Sequence, residues 1–193
     1  MCPPDGVRRR SAWRTIDSMD LGELLVDSFN RIREGVHGAV EGLSGEQLAE
    51  RPGPEANSIG WLVWHLTRIQ DDHLADLTGR EQVWTAQGWA ERFGLPFDHA
   101  DTGYGHTPTE VDGVRVESPD LLTGYHDAVH EQSVAFVSGL GLDDLDRIVD
   151  ERWDPPVSLG VRLVSVINDD QQHVGQAAYV RGLVESGGGE PVG

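Results

Sequence analysis

The chain has 193 residues, of which 33 are acidic and 15 basic, and its net charge is −18. This charge argues against nucleic-acid phosphates or an anionic membrane surface as the principal partner. All 15 basic residues are arginine, which excludes a Schiff-base lysine and the lysine of a phosphate-binding loop. The single cysteine, Cys2, argues against a disulfide framework and is consistent with a cytoplasmic protein.

Two helical patterns occupy the first part of the chain. We expect residues 1–17 to be a disordered leader. Three arginines in this segment are a feature of export signals, but no apolar stretch of the needed length follows them. Apolar residues then recur at helical spacing from about Asp20 to Leu43, which predicts the first helix. A second helix is predicted from Asn57 or Ser58, either of which can cap it, to about Thr78–Gly79.

The middle of the chain, between Arg80 and Glu117, is a long, irregular segment rich in aromatic residues. Long loops of this kind are commonly functional, and the tryptophans favour packing over disorder. Val114–Glu117, and Arg147–Trp153 further along, have the composition of short strands. Neither segment has enough partners to build a sheet domain.

Two more helices follow, one from about Ser118 to Ser138 and one that begins after Pro156. The last residues, 186–193, are expected to form a flexible tail. Four amphipathic helices with connections of varied length predict one all-α domain over residues 18–185, a four-helix bundle with a long crossover loop between helices 2 and 3. The longest apolar stretches are too short to span a bilayer.

A polar cluster interrupts the apolar pattern of the fourth helix, within Val164–Gln176. Asp169 and His173 lie there one helical turn apart, on the same side. Burying an acid and an imidazole without partners is costly, and a metal ion is one way to offset that cost. His65, between apolar residues of the second helix, completes a set of two histidines and one carboxylate that leaves a metal an open position.

Alternatives to this set stay open at the sequence level. Asp170 competes with Asp169, because a small rotation of the helix turns it toward the bundle interior. His73 competes with His65, because it lies closer to the centre of the apolar face. In a third interpretation, His65 and His173 are ordinary core histidines that are hydrogen-bonded to other polar groups.

The remaining histidines carry weaker signals. His126 and His130 are four residues apart on the third helix and could form a separate site, although an exposed pair is the favoured interpretation. His37, His99 and His106 have no convergent partners in the sequence, and we assign them only surface or loop contacts.

Two motifs, Asn57–Arg68 and Asp169–Gln176, occur in this order and together resemble the DinB/YfiT-like superfamily. The segment Gly88–Pro96 resembles an actinobacterial branch of that superfamily, and the similarity extends over about residues 20–185. The resemblance implies a four-helix bundle with a divalent metal bound by one histidine of helix two and two residues four apart on helix four. The corresponding positions here are His65, Asp169 and His173.

The resemblance also implies an activity, that of a mycothiol-type S-transferase related to mycothiol- and bacillithiol-dependent enzymes. In such an enzyme the metal deprotonates the cofactor thiol, which then attacks a small electrophile. Zinc or nickel suits the ligand set best, and iron(II) or manganese stays open because many relatives have a histidine where this chain has Asp169. Arg68, as a polar anchor, and Asp72, as a base or supporting acceptor, are the catalytic candidates. For Asp72 a solvated side chain without a role is the favoured alternative.

The aromatic residues of the crossover are candidates for a wall over the cofactor, with packing under the loop as the alternative. They are Trp84, Trp89, Phe93 and Phe97, with Tyr104 as a polar anchor. Two other functions stay open: a metal hydrolase that uses activated water, which thiol dependence would distinguish, and a non-enzymatic bundle with incidental metal. Apolar edges that include Trp13, Trp61 and Trp64 could form a homodimer face.

Overall fold

Four long helices make up most of the computed structural model, which describes residues 19–187. They are α1 (Leu21–Val40), α3 (Ile59–Thr78), α7 (Pro119–Val137) and α8 (Leu159–Gly187). Helices α1 and α3 each pack against both α7 and α8. This arrangement is a four-helix bundle, and it confirms the predicted all-α fold. Among the described helices, none combines the length and the apolar character needed to cross a membrane.

Short elements connect the four long helices. Helix α2 (Gly45–Ala49) follows α1, and α4 (Val83–Ala86), α5 (Trp89–Phe93) and α6 (Pro108–Gly113) lie between α3 and α7. A 3-10 turn at Leu142–Asp144 and two antiparallel strands, β1 (Ile148–Asp150) and β2 (Val157–Ser158), precede α8. Of the two predicted strand segments, Arg147–Trp153 contains β1, whereas Val114–Glu117 forms no strand in the structure.

The ends of the long helices follow local capping rules. The side chain of Asp20 accepts the backbone N–H of Glu23 at 2.8 Å, and the Glu23 carboxylate accepts that of Asp20 at 3.1 Å, which starts α1 with a capping box. Ser58 caps α3 by accepting the Trp61 N–H at 3.1 Å. Gly79 ends α3 at a φ of 65°, which favours glycine.

The crossover from α3 to α7 is more regular than the sequence predicted, since it contains three short helices. Trp84, Trp89 and the aromatic ring of Phe93 are buried. The carboxylate of Asp71, on α3, accepts the backbone N–H groups of Val83 and Trp84, both at 2.8 Å. Burial of these rings and the Asp71 contacts order a segment that has no helical periodicity of its own.

The predicted leader and most of the predicted tail are not among the described residues. The predicted leader, including Trp13, lies outside the described residues, as do residues 188–193, whereas Ser186 still belongs to α8.

Trp61 and Trp64 are only 6% and 1% exposed. The predicted homodimer face on these two tryptophans is therefore wrong, because their rings are part of the core of the same chain.

Candidate metal centre

Two helices bring three potential metal ligands together. His65 lies on α3, Asp169 and His173 lie on α8, and one ligand atom from each is within 4.8 Å of the others. His65 is buried, while the side chains of Asp169 and His173 are 34% and 17% exposed, so the group opens to solvent on the α8 side. In residues 19–187, no other cluster of three or more His, Cys, Asp or Glu residues has this arrangement.

Backbone carbonyls orient both imidazole rings. Nδ1 of His65 lies 2.5 Å from the carbonyl oxygen of Thr102, and Nδ1 of His173 lies 2.9 Å from that of Asp169. A carbonyl oxygen can only accept, so in the neutral rings Nδ1 carries the proton and Nε2 carries the lone pair. Both rings can therefore offer Nε2 to a metal, with the carbonyl partners that metal-binding histidines usually have.

The three side chains influence one another's pKa values. Burial lowers the pKa of His65, and this effect outweighs the hydrogen bond with Thr102. Burial also lowers the pKa of His173, but the carboxylate and the backbone carbonyl of Asp169, both close to the ring, reverse that effect and raise it above the ordinary value. Burial raises the pKa of Asp169, but the contacts with His173 and His65 lower it by a larger amount, so the net shift is downward. Asp169 is thus a carboxylate that can attract a cation near neutral pH.

One oxygen of Asp169 indicates that the group fits a metal. Oδ2 is buried and has no hydrogen-bond partner in the described part of the chain. Nδ1 of His173 lies 3.4 Å from it, without the geometry of a hydrogen bond. A buried carboxylate oxygen without a donor is costly, and a cation held jointly with His65 would satisfy it. Two imidazoles and one carboxylate suit zinc, nickel, iron(II) or manganese.

Asp170, the alternative carboxylate, faces the interior of the bundle. It is fully buried, on the same face of α8 as Leu163, Val166 and Ala177. Among the described residues, neither of its carboxyl oxygens has a hydrogen-bond partner. Burial, with the charge of Asp169 added, raises the pKa of Asp170 well above its ordinary value. Because it faces the core, Asp170 is not part of the cluster of His65, Asp169 and His173.

His73, the alternative histidine, contacts an arginine. Its Nδ1 lies 3.0 Å from Nη1 of Arg162, and the other end of that guanidinium lies 2.9 Å from Asp150. Burial, and then the charge of Arg162, lower the pKa of His73. A guanidinium beside the ring repels a second cation. The histidine of α3 that lies close to Asp169 is therefore His65 and not His73.

The His126 and His130 pair does not form a common site. His126 is fully buried, with Nδ1 3.1 Å from the Thr67 hydroxyl. Nε2 of His130 lies 2.9 Å from the side-chain oxygen of Asn30. The prediction of an exposed pair is wrong for His126, because that side of α7 packs against α3.

Three side chains in contact with one another, Trp61, His106 and Asp101, support His65. One of them, His106, was assigned only surface or loop contacts from the sequence. The ring of Trp61 stacks on His65, with ring centroids 4.5 Å apart and planes inclined by 13°. Trp61 Nε1–H donates to Nδ1 of His106 at 3.1 Å. Because that nitrogen is an acceptor, Nε2–H of His106 donates to the Asp101 carboxylate, also at 3.1 Å. Trp61 and His106 are 45 residues apart, so no local pattern could have revealed the pair.

Glycine at position 103 lets the crossover approach α3 this closely. Its φ is +85°, and an added Cβ would lie 2.9 Å from the Trp64 ring and 3.0 Å from Nδ1 of His65. Its N–H donates to the Asp101 carboxylate at 2.7 Å. Any other residue would push the crossover, and the Thr102 carbonyl with it, away from His65.

The two predicted catalytic residues contact the crossover. Arg68 is fully buried and donates to the carbonyl oxygens of Asp101 at 3.1 Å and His99 at 3.3 Å. It also donates to the side-chain oxygen of Gln82 at 2.8 Å, and Gln82 in turn donates to Asp72 at 2.7 Å. Arg68 and Asp72 therefore hold the crossover in place, and their catalytic roles stay predictions.

Three rings of the predicted aromatic wall pack around one residue of α7, and the fourth, Phe97, lies against His106 with ring centroids 4.8 Å apart. Trp84, Trp89 and Phe93 have ring centroids 5.1, 5.8 and 5.9 Å from that of Tyr125. In the described part of the chain, the rings that contact those of His65 and His173 are each other and Trp61. Tyr104, two residues from Thr102, is 89% exposed. A role of the four wall residues and of Tyr104 in cofactor binding stays a prediction.

Comparisons with known proteins agree with the bundle architecture. A family model described as mycothiol S-transferase matches residues 24–186. Among solved structures, the chain is similar to the crystal structure of a conserved protein from Enterococcus faecalis, with 30% sequence identity and a TM-score of 0.81. That similarity covers 88% of this chain and 99% of the other. A comparison with curated proteins gives no match.

Proposed function

The chain belongs to the mycothiol S-transferase family, and we propose that it joins a low-molecular-weight thiol of the mycothiol type to a small electrophile with the help of a divalent metal. The observation that supports the metal is the convergence of His65, Asp169 and His173 within 4.8 Å. The family match supports the thiol and the type of reaction.

His65 and His173 would hold the metal through Nε2, and Asp169 would hold it through its carboxylate. Three protein ligands leave a position for a further ligand, as in catalytic sites of this type. When bound, a divalent cation lowers the pKa of a thiol that it contacts, so that the thiolate exists near neutral pH. The ligand set carries one negative charge, which leaves residual positive charge to attract that thiolate.

The other residues of the site position the ligands and control access. The Thr102 carbonyl keeps Nε2 of His65 turned away from the crossover. Trp61 covers one face of the His65 ring and excludes water from it. The partly exposed side chains of Asp169 and His173 leave the α8 side open, where cofactor and electrophile would enter. In the reaction, sulfur bonds to the electrophilic carbon, and the leaving group departs with the electron pair of the broken bond.

Metal analysis tests the ligand assignment. Untagged protein purified without chelator should contain about one divalent metal per chain, and His65→Ala and His173→Ala should each lose it. His130→Ala is the matched control, because His130 contacts Asn30 instead of the site. Equal metal content in all three variants would show that the assignment is wrong.

A thiol-dependence assay tests the reaction. Metal-loaded protein should conjugate a small alkylating electrophile in the presence of mycothiol and not without it, and His173→Ala should be inactive. Ester or amide hydrolysis that needs no thiol and is lost in the same variant would instead identify a metal hydrolase. A protein that binds metal yet has neither activity would contradict the proposed function.

A further inference from the structure

A buried carboxylate on the hairpin before α8 binds two arginines. Asp150, on β1, is 5% exposed. Its oxygens accept hydrogen bonds from Nε and Nη2 of Arg152, both at 2.9 Å, and from Nη2 of Arg162, also at 2.9 Å. The hydrogen bonds from Arg152 hold the pKa of Asp150 well below its ordinary value, so Asp150 is negatively charged. One negative charge therefore contacts two positive charges.

The two arginines have different surroundings. The side chain of Arg152 is 82% exposed, and Asp150 and, more weakly, the exposed Asp76 raise the pKa of Arg152. The side chain of Arg162 is only 13% exposed. Its second contact is with His73, where Nη1 lies 3.0 Å from Nδ1 of the ring. Because contacts between charges are stronger away from water, Arg162 is the cation of the two that can bind an anion more tightly.

Arg162 and His73 together have hydrogen-bond donors for a further ligand. A guanidinium has five N–H donors. The contacts that Arg162 makes within the described part of the chain use one donor at Asp150 and one at His73. Since a guanidinium can only donate, Nδ1 of His73 is the acceptor, and the neutral ring carries its proton on Nε2. This pair of side chains therefore presents several N–H groups, the arrangement that a carboxylate needs.

The Arg162 and His73 pair spans α3 and α8, as the candidate metal centre does. Arg162 and Asp169 are seven residues apart on α8, which is about two helical turns, so they lie on the same side of the helix. At 1.5 Å per residue they are about 10 Å apart along the helix axis. Burial lowers the pKa of His73, while the charge of Asp169 acts to raise it, as is expected of side chains in the same region. An anion at Arg162 would therefore lie close to the metal centre.

We propose that Arg162 and His73 bind a carboxylate of the electrophile, so that the preferred substrates are anionic electrophiles with a short carbon chain between the carboxylate and the reacting carbon. This inference rests on the proposed function, because it concerns the second substrate of the same site. The net charge of −18 repels anions from most of the surface, so an anionic substrate needs a local cation. Paired N–H donors also orient a carboxylate, which directs the reacting carbon toward the metal centre. There the thiolate sulfur bonds to that carbon, and the leaving group departs with the electron pair of the broken bond.

A matched pair of electrophiles tests the preference for an anion. 4-Bromobut-2-enoate and 4-bromobut-2-enamide have the same reacting carbon and nearly the same size, but only the acid is charged. Metal-loaded wild-type protein with mycothiol should give a kcat/KM about tenfold or more higher for the acid, after correction for the uncatalysed rates. Arg162→Gln should abolish this preference by raising KM for the acid, while kcat and the reaction of the amide stay unchanged. Equal kcat/KM values for the two compounds in the wild type would overturn the inference, whereas conjugation of neither compound would contradict the proposed function itself.

Arg152→Gln is the matched control for Arg162→Gln, because it removes the same charge from the same carboxylate at a side chain that is 82% exposed. It should keep the preference for the acid. Arg162→Lys keeps the charge but not the paired donors, so its preference should be intermediate. All three variants should contain as much metal as the wild type, which shows that they are folded. An equal loss of preference in Arg152→Gln and Arg162→Gln would mean that net charge, and not a contact with Arg162, selects the acid, and would overturn the inference.

Acetate binding to metal-free protein tests the same contact without any activity. At constant ionic strength, with sodium chloride as the balancing salt, added acetate should shift the NMR signals of the His73 ring in a saturable way. The shift should persist in Arg152→Gln and disappear in Arg162→Gln, because Arg162 supplies the charge that holds the carboxylate beside the ring. Absence of a saturable shift in the wild type, or the same shift in Arg162→Gln, would overturn the inference.

Discussion

Asp169 and Asp170 are adjacent in the chain, but their carboxyl groups have opposite electrostatic surroundings. Asp169 is half-buried beside His173 and His65, which together hold its pKa below the ordinary value although burial raises it. Asp170 is fully buried with no partner among the residues described, and burial raises its pKa well above the ordinary value. At the scale of single residues, surroundings rather than residue type decide which aspartate can bind a cation.

This contrast predicts different results for two amide variants. Asp169→Asn removes the negative ligand, so metal affinity should fall by more than the roughly 10- to 100-fold that the loss of a supporting residue costs. Asp170→Asn changes a side chain that lies outside the ligand cluster and should leave that affinity unchanged. Competition with a chelator of known affinity measures both variants. A larger loss of affinity in Asp170→Asn than in Asp169→Asn would contradict the ligand assignment.

The contact between Trp61 and His106 predicts a further effect on the metal site. In His106→Phe the buried indole N–H of Trp61 loses its acceptor, which should destabilise the protein by about 1–3 kcal/mol. The crossover that carries the Thr102 carbonyl also loses an anchor, so metal affinity should fall by about tenfold or more. Urea unfolding of metal-free protein and metal titration measure the two effects.

His99→Phe is the control for this variant, because His99 lies in the same segment with an exposed side chain. It should match the wild-type protein in both measurements. If His106→Phe also matched the wild type, the Trp61 contact would have no part in positioning His65.

At the scale of elements, α3 and α7 meet at a buried polar contact. The Thr67 hydroxyl donates its one hydrogen to the carbonyl of Val63 at 2.8 Å, so it accepts from Nδ1–H of His126 at 3.1 Å. Nε2 of His126 has no partner in the part of the chain described. Burial, followed by the charge of His130, lowers the pKa of His126 to about 3. Its imidazole is therefore neutral in the folded protein near neutral pH.

The lowered pKa predicts acid sensitivity at this helix contact. Between pH 6.5 and about 3 the unfolded chain binds a proton at His126 that the folded chain does not bind. The contribution of His126 to stability is therefore complete above pH 6.5 and is lost as the pH falls through this window. His126→Leu should show a flatter dependence of the free energy of unfolding on pH than wild type, as measured by urea unfolding at several pH values. Parallel profiles for the two proteins would contradict this explanation.

At the scale of the whole molecule, the excess of 33 acidic over 15 basic residues acts on every conformation of the chain. The folded state brings these charges closer together than the unfolded state, so their mutual repulsion favours unfolding. Salt reduces this repulsion, since the screening length falls from about 30 Å at 0.01 M to about 8 Å at 0.15 M. Net charge therefore sets how stability responds to ionic strength.

We expect the Tm to rise with sodium chloride over about 0.01–0.15 M, the range in which screening changes most. Near the isoelectric point of about 4.6 the net repulsion vanishes, and the rise should shrink there. Thermal unfolding followed by circular dichroism measures both dependences. A Tm at neutral pH that falls or stays constant as salt is added would show that local ion pairs outweigh the net charge.

The sequence by itself determined the features that depend on neighbours along the chain. Apolar periodicity predicted the four long helices, and capping residues such as Ser58 predicted where they begin. Spacing within one helix paired Asp169 with His173, and the motifs of helices two and four indicated the family. These signals are local, because a helical turn places residues three and four apart on one side whatever surrounds the helix.

Only the tertiary structure decided the choices that depend on contacts between distant segments. It placed His65, and not His73, beside Asp169, because the guanidinium of Arg162, which also lies on α8, contacts His73. It gave His106 a partner in Trp61, and it ordered a crossover in which the sequence shows no period. Burial and the approach of groups far apart in the chain determine these outcomes, and neither is set by the order of residues within one helix.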